Sequence, residues 1–266
     1  MLVKDIINDI KSIAYWVNYN NTRDRLLVGN ENNEVHKLGV CWVATKKVLE
    51  EAKKQGIDFI ISHENFLYVE GTHIYTGYYD AKQEKIKFCN ENNITIYRLH
   101  DGWDLFPEYG VADELAKLMN IKFEPREIKS FVQIADINKT MSIKEIAQRI
   151  ANGLSKYGCD YVEILGNKDQ LINRLAIGVG AATDLASMEI MGADAFVLSD
   201  DGSNNWIEQQ YCLDKNIPVI LFHHSTNEMA GIDGMKEYFS NRYPNLEIVR
   251  LFEGYEYTLI KSNIKD

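Results

Sequence analysis

Apolar residues at Val3, Ile6, Ile7, Ile10, Ile13 and Ala14 fall on one face of a 3.6-residue repeat, which predicts a helix at the start of the chain. A polar stretch, 18–25, reads as a loop. The apolar run Leu38-Gly39-Val40-Cys41-Trp42-Val43 reads as a buried strand. Thr45 then caps a helix through Val48, Leu49 and Ala52, and Gly56 stops it. Asp58-Phe59-Ile60-Ile61-Ser62 is a second strand that delivers His63 and Glu64 to its C-terminal end. Residues 65–79 are aromatic and irregular, 80–90 read as a helix, 94–99 as a third strand and 112–119 as another helix.

Beyond Phe123-Glu124-Pro125 the pattern changes. Residues 131–136 alternate like a half-exposed strand. Residues 142–157 read as a helix opened by a capping box at Ser142 and Glu145, and 162–166 as a strand. Then the first pattern returns. Ile177-Gly178-Val179-Gly180-Ala181-Ala182-Thr183 echoes residues 38–45. A helix over 184–191 ends at Gly192, and 194–200 echoes the strand at 58–63. A helix over 206–213 precedes Asn216-Ile217-Pro218-Val219-Ile220-Leu221-Phe222-His223, which echoes Asn93-Ile94-Thr95-Ile96-Tyr97-Arg98-Leu99-His100. Three echoes in order indicate a pseudo-duplicated α/β architecture. The tail, at 248–253 and 257–260, supplies one or two final strands. The division expected is a first α/β domain over 1–125, completed by the C-terminal segment, and a second over 126–266.

Composition changes little in this picture but excludes several functions. The chain has 266 residues, is 45% hydrophobic and 26% charged, and carries a formal charge of −10. That is globular composition. Short basic clusters such as Lys46-Lys47 are diluted by glutamate, so no phosphate-tracking surface is expected, and nucleic acid is not an expected partner. No run approaches the roughly 18 apolar residues of a membrane span, and the N-terminus lacks the apolar core of a signal peptide. A cytoplasmic protein is expected. The four cysteines are far apart in sequence, with no paired zinc-ligand spacing. Cys41, inside an apolar run, reads as a small core residue.

The chemistry gathers at strand ends, where α/β proteins place their sites. His63 and Glu64 are adjacent; taken alone, they read first as a surface histidine beside a solvated carboxylate, although a backbone turn at the strand end could face both into one cavity. His100 and Asp104 flank a turn-forming Asp101-Gly102-Trp103, where the carboxylates could instead serve the turn. His224 and Glu228 share a helical face, the geometry of paired metal ligands. Ser225-Thr226-Asn227-Glu228 is also a capping-box sequence, so Glu228 could serve a helix N-terminus instead. Three imidazole–carboxylate pairs at three strand ends point jointly to metal. His36 and His73 read as structural or surface residues, with His73 a remote candidate for substrate contact. There is no glycine-rich dinucleotide, Walker, nucleophile-elbow or HExxH sequence.

At these residues the chain resembles the Nif-three-like dinuclear-metal-centre family, whose members are often labelled type-two GTP cyclohydrolase homologues. The family's Ser-His-His-Pro is Ser62-His63-Glu64-Asn65 here. Its His-x-x-x-Asp is His100 to Asp104, and its Gly-His-x-x-x-Glu is His223-His224 to Glu228. A family strand ending in an acidic residue matches the segment ending at Asp200. The resemblance implies two interlinked, pseudo-duplicated α/β domains with a metal site between them, and a ring-like homo-oligomer, commonly a hexamer. It implies His63, Glu64, Asp104, His224 and Glu228 as metal ligands, with Glu228 bridging two ions and His100 beside the site. Glu64, His223 and Asn65 depart from the family pattern. A carboxylate at 64 should favour Mn, Fe or Mg over Zn, and Glu64→His should raise Zn affinity.

The function expected is a metal-dependent, hydrolase-like activity at a dinuclear metal centre. Two divalent ions (Mn, Fe, Zn or Mg) would act on an unassigned small-molecule substrate, with a nucleotide or phosphorylated small molecule as the candidate class. His100 and His223 are the candidate acid–base groups. The alternative is a non-catalytic metal-binding or metal-handling protein, or a scaffold with a vestigial site.

Overall fold

The short apolar runs become strands because their β-branched and aromatic residues pack on both faces of a covered sheet. The computed structural model describes residues 1–68, 76–183, 185–202 and 206–261. His73, and residue 184 at the expected start of a helix, lie outside the described residues. The helices are α1 (Val3–Ile13), α2 (Lys46–Gln55), α3 (Thr76–Glu91), α4 (Asp101–Asp104), α5 (Val111–Leu118), α6 (Ile143–Leu154), α7 (Leu185–Ile190), α8 (Trp206–Asp214) and α9 (His224–Arg242). The strands are β1 (Arg25–Val28), β2 (Lys37–Cys41), β3 (Phe59–Ser62), β4 (Thr95–Arg98), β5 (Val132–Asp136), β6 (Glu163–Leu165), β7 (Arg174–Gly178), β8 (Ala195–Ser199), β9 (Val219–Phe222) and β10 (Glu247–Arg250). Two units result. One comprises Met1–Val111 and Gly231–Gly254, the other Ala112–Ala230 and Tyr255–Asp266.

The first unit holds a five-stranded sheet in the order β1-β4-β3-β2-β10. All neighbours are parallel except β1, which runs antiparallel to β4. Val48, Leu49, Ile60, Phe66 and Ile96 form part of its core. The second unit holds a five-stranded sheet in the order β5-β7-β8-β9-β6. Here β7, β8 and β9 are parallel, and both edge strands are antiparallel. Ile134, Met188, Phe196, Leu198 and Val219 belong to its core.

Read from β6, four strands of the second sheet repeat the first, with β6, β9, β8 and β7 standing for β1, β4, β3 and β2; the fifth differs, since β5 is antiparallel to β7 where β10 is parallel to β2. The correspondence extends to single bonds. Gly56 and Gly192 both take left-handed conformations (φ 68° and 82°) beyond α2 and α7, a conformation that costs a side-chain-bearing residue. Two residues later, Asp58 accepts bonds from the backbone N–H groups of His36 and Lys37, as Asp194 does from those of Asn173 and Arg174. Asn93 and Asn216 are left-handed too (φ 54° and 56°). Next to them, the N–H groups of Ile94 and Ile217 each donate over 2.9 Å to the carbonyls of Cys89 and Cys212. The pseudo-duplication read from the sequence is thus present in topology and in turn chemistry.

Three details differ from expectation. Residues 25–28 form an edge strand rather than ending a loop: Leu26-Leu27-Val28 is a short apolar run that pairs with β4, with Leu27 and Val28 packed against the core. Strand β5 is buried from Val132 to Ala135 rather than half-exposed. Its polar residue Gln133 is accommodated because Nε2 donates to the Ala112 carbonyl (2.7 Å) and Asp113 Oδ1 (3.2 Å). In the tail, 247–250 pair, but 257–260 form no strand. Among the described residues, no helix is long and apolar enough to cross a membrane.

Candidate metal centre

Strand β3 ends at Ser62, and two backbone bonds hold the next residues in place. His63 N–H donates to the Cys41 carbonyl (3.0 Å) and Glu64 N–H to that of Trp42 (2.6 Å). His63 is fully buried. Its Nδ1 lies 3.1 Å from the Leu99 carbonyl. A carbonyl only accepts, so Nδ1 carries a proton, and in the neutral imidazole the lone pair is on Nε2. That Nε2 faces Asp104 Oδ1 at 3.3 Å.

Strand β4 delivers His100 beside it. Asp101-Gly102-Trp103 is not an open turn but the single helical turn α4, in which Asp104 N–H donates to the His100 carbonyl (2.9 Å). The i, i+4 spacing brings Asp104 back to the imidazole. His100 Nδ1 is 3.1 Å from both Asp104 Oδ2 and Asp101 Oδ1, and Nε2 is 3.4 Å from Glu64 Oε1. The His63 and His100 rings stack with centroids 4.7 Å apart. Burial pushes the His100 pKa down, but Asp104, Asp101 and Glu64 outweigh it and hold it up at about 12. Burial likewise raises Asp104, yet His100 and His63 hold it well below the usual carboxylate range.

Two residues of this cluster were not singled out in the sequence. Arg98, 5% exposed, donates from Nη2 to Glu64 Oε2 (2.7 Å) and from Nε to the His63 carbonyl (3.3 Å). Burial raises the Glu64 pKa, but His100, His63 and Arg98 drive it well below the carboxylate range. The available signal was a lone cation inside an apolar run, since buried arginines are almost always paired. Asp24, in the polar loop, accepts from the N–H groups of His100 (2.7 Å) and Gly102 (2.9 Å), so it caps α4. Burial pushes its pKa up to about 6, against those two bonds.

The second unit holds His224 and Glu228. Helix α9 begins at His224, and the Ser225 hydroxyl bonds Tyr257 Oη (2.7 Å), so the capping-box reading of Glu228 does not hold. Glu228 is buried a full turn inside the helix, with Oε1 2.9 Å from His224 Nε2. His224 Nδ1 bonds Asp201 Oδ2 (2.7 Å), which turns Nε2 toward Glu228. Burial lowers the His224 pKa, but Glu228 and Asp201 hold it up at about 10. The backbone leaves room: Gly180 (φ 51°) lies so close that a Cβ would overlap Glu228 Oε1 and sit 2.9 Å from His224 Nε2. Its N–H donates to Asn227 Oδ1 (3.0 Å).

His223 stands apart from that pair. It stacks on Tyr257 (centroids 3.9 Å), with Nδ1 3.2 Å from Asp200 Oδ2 and Nε2 3.0 Å from Tyr161 Oη. His36 bonds Asp58 through Nδ1 (2.7 Å), a structural role as expected. Cys41 is buried core, and burial drives its thiol pKa far up.

The first set fits a cation. Ligand atoms of His63, His100 and Asp104 all lie within 4.8 Å of one another. Buried imidazole nitrogen and carboxylate oxygen form the donor set of divalent transition ions. In the neutral tautomer fixed by Leu99, His63 Nε2 and Asp104 Oδ1 present lone pairs to each other, an arrangement that a cation or a proton relieves.

Residues 1–253 match the model of the Duf34/NIF3 (NGG1p interacting factor 3) family. The chain belongs to that family. A curated relative, the GTP cyclohydrolase 1 type 2 homolog of Clostridium perfringens, is 27% identical over 210 residues, spanning 75% of this chain and 78% of its own. The protein of the same name from Methanocaldococcus jannaschii is 24% identical over 225 residues, spanning 84% and 86%. Among solved structures, Staphylococcus aureus protein SA1388 superposes with a TM-score of 0.80 at 19% identity, covering 97% of this chain and 99% of its own. Reduced HcgD from M. jannaschii gives 0.71 at 22%, covering 94% and 98%. These structures share the NIF3 fold.

Proposed function

We propose that this protein is a metal-dependent, hydrolase-like NIF3 protein whose two ligand sets, His63/Glu64/Asp104 and His224/Glu228, hold a pair of divalent ions. The observation that carries the reading is the buried His63 Nε2 facing Asp104 Oδ1 at 3.3 Å with its tautomer set by Leu99. His224, oriented by Asp201 toward Glu228, repeats the logic in the second unit. Bound ions would supply Lewis-acid polarisation of a carbonyl, ring carbon or phosphoryl group.

The chain's own residues set the stage for that chemistry. Asp24 holds the turn carrying His100 and Asp104. His100, among three carboxylates, is the group placed to hold a proton at Nε2, beside Glu64. His223, oriented by Asp200 and touching Tyr161 Oη, is the second acid–base candidate. The names of the curated relatives suggest a nucleotide, or more broadly a phosphorylated small molecule, as the substrate class. The NIF3 family reading also carries the proposal of a ring-like homo-oligomer, and the buried free cysteines suit a reducing, cytoplasmic setting.

One observation favours a second reading, a metal-binding or metal-handling protein without turnover. Both ring nitrogens of His100 already face carboxylates, which leaves neither committed to a substrate. Metal content per chain on chelator-free protein, followed by turnover assays on nucleotides and phosphate esters, separates the two. About two ions and turnover lost in Asp104→Ala support the enzyme. Ions without turnover support metal handling, and no bound Mn, Fe or Zn removes both readings.

A further inference from the structure

A buried arginine beside a set of cation ligands is costly, since like charges repel most where water is excluded. Arg98 occupies such a position, and its contacts are specific. Nη2 meets Glu64 Oε2 at 2.7 Å and Nε donates to the carbonyl of His63, while Glu64 Oε1 turns to His100. The guanidinium therefore grips the carboxylate of one candidate ligand and the backbone of another.

We infer that Arg98 and Glu64 act as one unit that selects the cation accepted by the first ligand set. This rests on the metal-centre reading above. The pair is neutral as a whole. Arg98 engages Oε2, which leaves Oε1, beside His100, as the oxygen with which Glu64 would meet a cation, and the guanidinium balances the carboxylate charge. A free carboxylate would offer two oxygens and a full negative charge, the preference of Mg and Mn. The paired one resembles a neutral ligand and suits Zn and Fe better. Arg98 is thus a specificity-determining and positioning residue, since it acts on the ion through Glu64. The contact also changes the expectation for Glu64→His. With the carboxylate gone, the Arg98 charge stands beside the cation, so histidine alone should weaken Zn binding rather than raise it.

The test is a cycle of wild type, Glu64→His, Arg98→Met and the double variant, read as Zn and Mn affinity by competition with a chelating dye. Glu64→His should lose about tenfold in Zn affinity and the double variant should recover it. Arg98→Met should move the Mn-over-Zn preference toward Mn by about tenfold. Since Arg98→Met leaves the half-buried Glu64 without its guanidinium, Arg98→Lys is measured alongside. It keeps the charge and should keep the wild-type preference, and unfolding midpoints in chelator confirm that each variant folds. Additive effects of the two substitutions on Zn affinity, or an unchanged preference in Arg98→Met, overturn the inference while leaving the metal centre standing. No metal bound by any of these proteins overturns both.

Discussion

His63 Nε2 and Asp104 Oδ1 face each other across 3.3 Å in a buried pocket of charge, with the His63 ring held there by the Leu99 carbonyl. This relationship makes Asp104 the most informative single position. Asp104→Asn keeps the shape but removes the charge that attracts a cation. It should reduce divalent-ion affinity by about 100-fold, measured by dye competition, whereas Asp101→Asn should cost much less. Equal losses in the two variants would argue against a ligand role for Asp104.

Gly180 offers a test of the second set that leaves both ligands chemically intact. Gly180→Ala places a methyl group against Glu228 Oε1 and His224 Nε2 and forces alanine to φ 51°. The expected cost is about 1–2 kcal/mol of stability from the left-handed backbone alone. Metal content should fall as well, by loss of the His224–Glu228 geometry. Urea unfolding and metal analysis of the same preparation check both, and full metal content in a folded variant would count against this set.

Asp24 predicts a pH effect. Its folded pKa, about 6, lies above the unfolded value of 3.8, so between these limits the native state holds a proton that the unfolded state has released. The Asp24 contribution is therefore present below about pH 4 and declines as pH rises toward 6, by about 3 kcal/mol at most. Depressed carboxylates such as Asp104 have the opposite sign: their contribution is present above about pH 4 and is lost as pH falls. Subtracting variant from variant isolates Asp24. The stability of Asp24→Asn relative to wild type should rise from pH 4 to pH 7. A flat difference would show that Asp24 titrates normally.

The duplicated clamps, Asp58 and Asp194, should matter equally to their own units. Each accepts charge-assisted bonds from two successive backbone N–H groups at the start of a strand. Asp58→Ala and Asp194→Ala should each cost about 2 kcal/mol. Hydrogen exchange should place the loosening of Asp58→Ala at the start of β2 and that of Asp194→Ala at the start of β7. Loosening elsewhere would mean that the repeat is one of chain path only.

Much of this protein was determined locally, and there the sequence sufficed. Thr45 with Gly56, and Ser142 with Glu145, mark their helices because capping chemistry depends on neighbours in the chain. The parallel core strands were legible as apolar runs. Their shared turn residues made the duplication visible, and the histidines at their ends mark the candidate site. Edge strand β1 was not read, because Leu26-Leu27-Val28 is too short a run beside a polar loop to show a period, and its pairing with β4 decides it. Buried Gln133 broke an alternation that assumed solvent on one face. The long helix α9 lacked a clear apolar stripe. At the site, the return of Asp104 toward His100 could be read from the sequence as a turn, though not the helical turn that makes it. The tautomer of His63, the tie of Glu64 to Arg98 and the cap from Asp24 could not. Those depend on which backbone carbonyls, cations and carboxylates meet after strands distant in sequence pair, and the pairing of buried charges is decided by the fold that excludes water from them.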